Sequence, residues 1–142
     1  MSRAKYNNKQ QNGFENILTL FGKALWALVS LPFRKKKSGD VAEKWREVQE
    51  LMTKDDAHAW TMAIMKADSI LDSVLQKRVS GETVGERLKK MEGRIGHDAL
   101  QSAWDGHKVR NQIAHGDGDI NHQQTQDAIA NFRKVLNNLG EL

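Results

Sequence analysis

From Val41 onward the apolar residues return at intervals of three and four and nowhere alternate over a useful length, and this period restricts the fold more than any other feature of the chain. Five stripes result. Val41, Trp45, Val48 and Met52 mark a first helix, and Trp60, Ile64, Ala67, Leu71 and Val74 a long second one. Val84, Leu88, Met91 and Ile95 mark a third, Leu100, Ala103 and Trp104 open a fourth, and Ala128, Ile129, Phe132, Val135, Leu136 and Leu139 line a fifth. Each stripe follows a residue able to cap a helix: Asp40 with Glu43, Thr53, Thr83 with Glu86, Asp98 with Gln101, and Asn121 or Asp119. Short links between such helices favour antiparallel neighbours. The expected fold is therefore all-α, a four- to five-helix antiparallel bundle over residues 38–142.

The N-terminal part has a different character. Residues 1–13 are polar and aperiodic, and read as a disordered lead. In residues 14–33, Glu15, Thr19, Gly22, Lys23 and Ser30 occupy one narrow helical stripe, with Trp26 inside it, and apolar side chains take most of the remaining circumference. The run Arg34, Lys35, Lys36, Lys37 follows. A helix lying in the membrane interface, with Trp26 at headgroup level and the four cations on anionic lipid, uses all of these residues without burying Lys23. If the segment spans instead, the basic run puts the bundle on the cytoplasmic side. A helix docked on protein is the other reading of the same stripe. Charge follows this division. Residues 1–39 hold eight Lys and Arg against Glu15 alone, so a chain of net charge +4 leaves −3 on the bundle. The high isoelectric point belongs to the N-terminal segment and does not by itself mark a nucleic-acid surface on the folded part. There is no cysteine, which excludes disulfides, thiolate metal sites and cysteine nucleophiles.

The stretch "WDGHKVRNQIAHGDGD", residues 104–119, carries the candidate chemistry. On a helical projection Leu100, Ala103, Trp104, His107, Arg110, Asn111 and Ala114 share one face, with His115 at its edge, while Val109 and Ile113 lie on the opposite flank. A helix apolar on two sides packs centrally in its own bundle or also against a second copy, so a homodimer through this fourth helix is expected. Gly106 in mid-helix implies close backbone approach or a local break. A guanidinium on an inner face needs a partner, and Asp68 and Asp72, one turn apart on the second helix, are the candidates for Arg110. No metal site is assigned. His107, His115 and His122 lack a metal-ligand spacing, and Asp117, Asp119 and Asn121 open a segment with His122 where a calcium loop needs Gly and Ala128 where it needs Glu.

Arg110, Asn111 and His115 resemble the R-N-x-x-x-H signature of the HEPN superfamily, a set of small α-helical bundle domains, and the resemblance extends over residues 40–142. Many members are metal-independent endoribonucleases that act on RNA as dimers, with the signature at a cleft between subunits, while others are non-catalytic or bind nucleotides. The resemblance therefore implies a candidate endoribonuclease that needs no cofactor. Arg110 would stabilise the phosphorane, His115 would be the general acid/base and Asn111 would orient substrate, with His107, Asp68 and Asp72 in support. The chemistry is coherent on its own terms, since attack by a 2′-OH needs a proton acceptor near neutral pH and a fixed cation on phosphorus. The alternative is a non-catalytic, membrane-tethered helical interaction module in which the same residues are structural.

Overall fold

A computed structural model describes residues 39–116 and 119–142. The chain divides into two units, 1–35 and 36–142. The lead expected to be disordered, the helix expected at 14–37 and the membrane contacts expected of Trp26 and Arg34 to Lys37 lie outside the described residues. None of the described helices is long and apolar enough to cross a membrane.

The unit is all-α: α1 (Gly39–Met52), α2 (Ala57–Gln76), α3 (Val84–Lys90), α4 (His97–His115) and α5 (His122–Asn138), with no strand among the described residues. α2 is central and packs on the other four helices. Its stripe Ile64, Ala67, Leu71 and Val74 is fully covered, as are Val41 and Val48 of α1, Leu88 of α3, Ala103 of α4 and Phe132, Val135 and Leu136 of α5.

Side-chain contacts fix the directions. Lys66 on α2 pairs with Glu47 on α1 across a four-residue link, so the two run antiparallel. Trp60, near the start of α2, stacks on His122, the first residue of α5, with ring centroids 4.7 Å apart. Beyond the far ends of the same two helices Arg78 donates to the Leu139 carbonyl at 3.0 Å and to Glu141 at 2.7 Å, so α2 and α5 are parallel. Between α4 and α5 the approach is close. A Cβ on Gly106 would lie 3.0 Å from the Phe132 ring, and the glycine is what lets the backbone of α4 reach it.

Two of the expected caps hold and three shift. Thr83 accepts from the Glu86 N–H at 3.1 Å, and Asn121 forms a reciprocal box with Gln124. α2 starts at Asp56, whose carboxylate accepts from the Ala59 N–H at 2.9 Å. Thr53 instead turns its hydroxyl back onto the Glu50 carbonyl at 2.7 Å, in the turn that closes α1. α4 starts after Gly96 with no side-chain cap, leaving Asp98 inside the first turn, where a negative charge complements the helix dipole. Asp40 is likewise inside α1, paired with Lys44 at 3.0 Å.

Candidate functional site: a polar cleft between α3 and α4

Asp68 is 4% exposed on the inner face of α2, and burial of a carboxylate demands partners. It uses both oxygens. His107 Nδ1 lies 2.8 Å from Oδ1, and because an ionised carboxylate only accepts, the imidazole donates there. Arg110 Nε approaches Oδ2 at 3.4 Å. Both partners come from α4, one turn apart, so a single carboxylate clamps α4 to α2. Arg110 continues the chain of contacts through Nη1, which donates to Asn111 Oδ1 at 3.3 Å.

Asp72, the other expected partner of Arg110, serves a different arginine. Arg87 on α3 donates from Nε at 2.8 Å and from Nη2 to Asp72 Oδ1, and from Nη1 to the Gly81 carbonyl. All three nitrogens of that guanidinium are engaged and its side chain is 6% exposed, whereas that of Arg110 is 34% exposed. One guanidinium is closed into the fold. The other reaches the surface from a buried carboxylate.

Between these pairs runs a cleft of about 690 Å³. Trp104, His107, Arg110 and Asn111 form its α4 wall, and Gly85, Arg87 and Lys89 are among the α3 residues opposite, with Glu82 and Thr83 at the start of α3. Gly85 abuts Trp104, since a Cβ there would sit 3.5 Å from the indole. The Trp104 and His107 rings meet edge to face, with centroids 6.4 Å apart. α4 packs on α5 across a six-residue link and so runs antiparallel to it, and because α2 and α5 are parallel, α2 and α4 are antiparallel.

His115 is not among the residues lining this cleft. It is the last residue of α4 and is exposed, followed by Gly116, whose left-handed backbone (φ 68°) ends the helix with its N–H on the Gln112 and Ile113 carbonyls. Its position at a helix end agrees with the sequence reading. Val109 and Ile113, the flank expected to meet a second copy, are half-buried and pack against the core of their own chain. On α3 Lys89 lines the cleft, while Lys90 donates to Ser80 at 3.1 Å.

Arg87 is the residue that sequence reasoning missed. The signal was present: position 87 follows Val84 by three and precedes Met91 by four, which places it on the buried face of α3. No family model, curated protein or solved structure matches the chain.

Proposed function

We propose that this unit is an HEPN-like domain that cleaves RNA without metal or cofactor, with Arg110 as the phosphate-binding group, Asn111 beside it and His115 as the general acid/base. The observation that carries the reading is the contrast between two arginines whose aspartate partners stand one turn apart on α2. Arg87 is consumed by Asp72 and Gly81, while Arg110 is held at Nε by Asp68 and keeps a third of its side chain exposed at a cleft. A guanidinium positioned from behind and open in front suits a ligand with paired oxygens, and phosphate is such a ligand.

In the reaction the 2′-oxygen forms a bond to phosphorus as its proton passes to a base, and the bond from phosphorus to the 5′-oxygen breaks as that oxygen takes a proton. The products are a 2′,3′-cyclic phosphate and a free 5′-hydroxyl. Arg110 offsets the charge on the pentacoordinate phosphorane, and His115 handles the protons. His107 and Asp68 act as positioning residues for Arg110. On one helix Arg110 and His115 lie about 140° apart and roughly 7.5 Å along the axis. With the Val109 and Ile113 flank packed in its own core, a homodimer through the exposed remainder of α4 would bring two copies of the signature to one RNA strand.

The test is cleavage of single-stranded RNA by the full chain in excess chelator, with product ends identified. Cyclic phosphate ends that vanish in His115→Ala and Arg110→Ala support the enzyme. A second reading has its own observation: Asp68 spends both oxygens on α4, as a purely structural clamp would. Under that reading the unit is a non-catalytic interaction module, held at the membrane by residues 14–37, and no RNA is cut.

A further inference from the structure

The cleft extends well beyond Arg110, and the residues along it change character in order. At one end stand Arg110 and Asn111, in the middle His107, and at the other Trp104 against the backbone of Gly85, with Glu82 nearby at the start of α3. Trp104 precedes Arg110 by six residues, about 9 Å along the helix axis. A volume of about 690 Å³ lies within the range of small-molecule sites. Arg110, Trp104 and Glu82 thus offer a cation, an aromatic wall and a carboxylate in one cleft. An inorganic anion would use only the first of these, and a purely apolar ligand would use only the second.

We propose that the Trp104 end of this cleft is a base subsite: a ribonucleotide whose phosphate rests on Arg110 lays its base against the exposed part of the Trp104 indole, with Glu82 accepting from ribose hydroxyls or base amino groups. The assignment rests on the phosphate-binding reading of Arg110. Stacking on an aromatic ring favours single-stranded over paired nucleotides and tolerates any base. Gly85 keeps the slot open. A side chain there would grow from α3 over the indole and take the place of the base, and its first carbon would meet the ring at ordinary contact distance, so the helix need not shift.

The experiment measures binding of three probes to the full chain by calorimetry: 5′-AMP, ribose 5-phosphate, and a 2′-O-methyl hexa-adenylate that cannot be cut. The side-chain indole N–H signal of Trp104, assigned with Trp104→Phe, is followed in parallel. The expected result is that 5′-AMP binds at least about tenfold more tightly than ribose 5-phosphate, that it alone of these two moves the Trp104 signal, and that the ratio falls to about one in Gly85→Leu. Tighter binding of the hexa-adenylate than of 5′-AMP identifies an RNA chain as the occupant, and equal binding a free nucleotide. If Gly85→Leu does not fold, Gly85→Ala shifts the ratio in the same direction by a smaller factor. Equal affinity for 5′-AMP and ribose 5-phosphate, with Trp104 unmoved, overturns the base subsite and leaves the phosphate site standing. Failure of all three probes to bind the folded protein overturns both.

Discussion

Asp68 and His107 meet at 2.8 Å through Oδ1 and Nδ1 in a part of the bundle where the carboxylate side chain is 5% and the imidazole 12% exposed. The contact uses one oxygen and turns the other towards Arg110, so the orientation of the arginine depends on a histidine that lies outside the R-N-x-x-x-H residues. Asp68→Asn keeps an acceptor for the imidazole and loses the charge that holds the guanidinium. Thermal unfolding is expected to show a loss of about 1–2 kcal/mol. RNA cleavage is expected to fall far more than stability does, because the arginine is then free to leave the cleft. Equal activity in Asp68→Asn and wild type would remove Asp68 from the site.

The two arginines separate fold from function. Arg87→Ala takes the charged donor from the partly buried Asp72, leaving it the Gln76 amide at 2.8 Å, and strips the Gly81 carbonyl of its side-chain donor, so urea titration is expected to show a loss of about 3 kcal/mol. Arg110→Ala removes a longer and more exposed contact while Asp68 keeps its bond to His107, so the expected loss is about 1 kcal/mol or less, with phosphate binding abolished. Equal destabilisation by the two variants would favour the structural reading of Arg110.

Gly106→Ala places a methyl 3.0 Å from the Phe132 ring, at a closest approach of α4 and α5. Alanine is the better helix former by about 1 kcal/mol, yet overpacking a rigid ring costs about 1–3 kcal/mol. The variant is expected to be net destabilised. Adding Phe132→Leu tests the cause, since a double-mutant cycle should return a favourable coupling between the two changes.

Residues 14–37 are addressed by vesicle sedimentation. The full chain is expected to bind vesicles containing phosphatidylserine, and neutralising Arg34, Lys35, Lys36 and Lys37 together is expected to weaken binding and flatten its dependence on salt. Binding that ignores both lipid charge and these four substitutions would argue for the protein-docked alternative.

Helix existence was legible because burial imposes its period on the sequence, and the stripes through Ile64, Leu71, Leu88 and Phe132 did become the core. Helix starts were less so. The run Thr53, Lys54, Asp55, Asp56 offers three side chains able to cap, and the choice of Asp56 coincides with the Trp60 indole N–H reaching the Lys54 carbonyl at 2.8 Å, a contact no local rule anticipates. Gly106 was readable as a close approach, though not against which ring. In the site, periodicity put His107, Arg110 and Asn111 on one face correctly. It left Asp68 and Asp72 equivalent, because what distinguishes them is the position of α3, which brings Arg87 to one and not the other. Pairing across helices is a tertiary property, and a single helix's pattern is silent on it.

The parallel pairing of α2 with α5 bears on how the chain is made. Synthesis delivers α2 long before α5, and until residues around Ala128 to Leu136 leave the ribosome, part of the inner face of α2 has no helix to lie against. α1 and α3 cover other parts of it, but the Phe132 ring and its neighbours come late. A nascent chain halted between His97 and Ala128 therefore displays an uncovered apolar strip on α2. The order of the helices along the chain thus makes closure of the core a late event in translation.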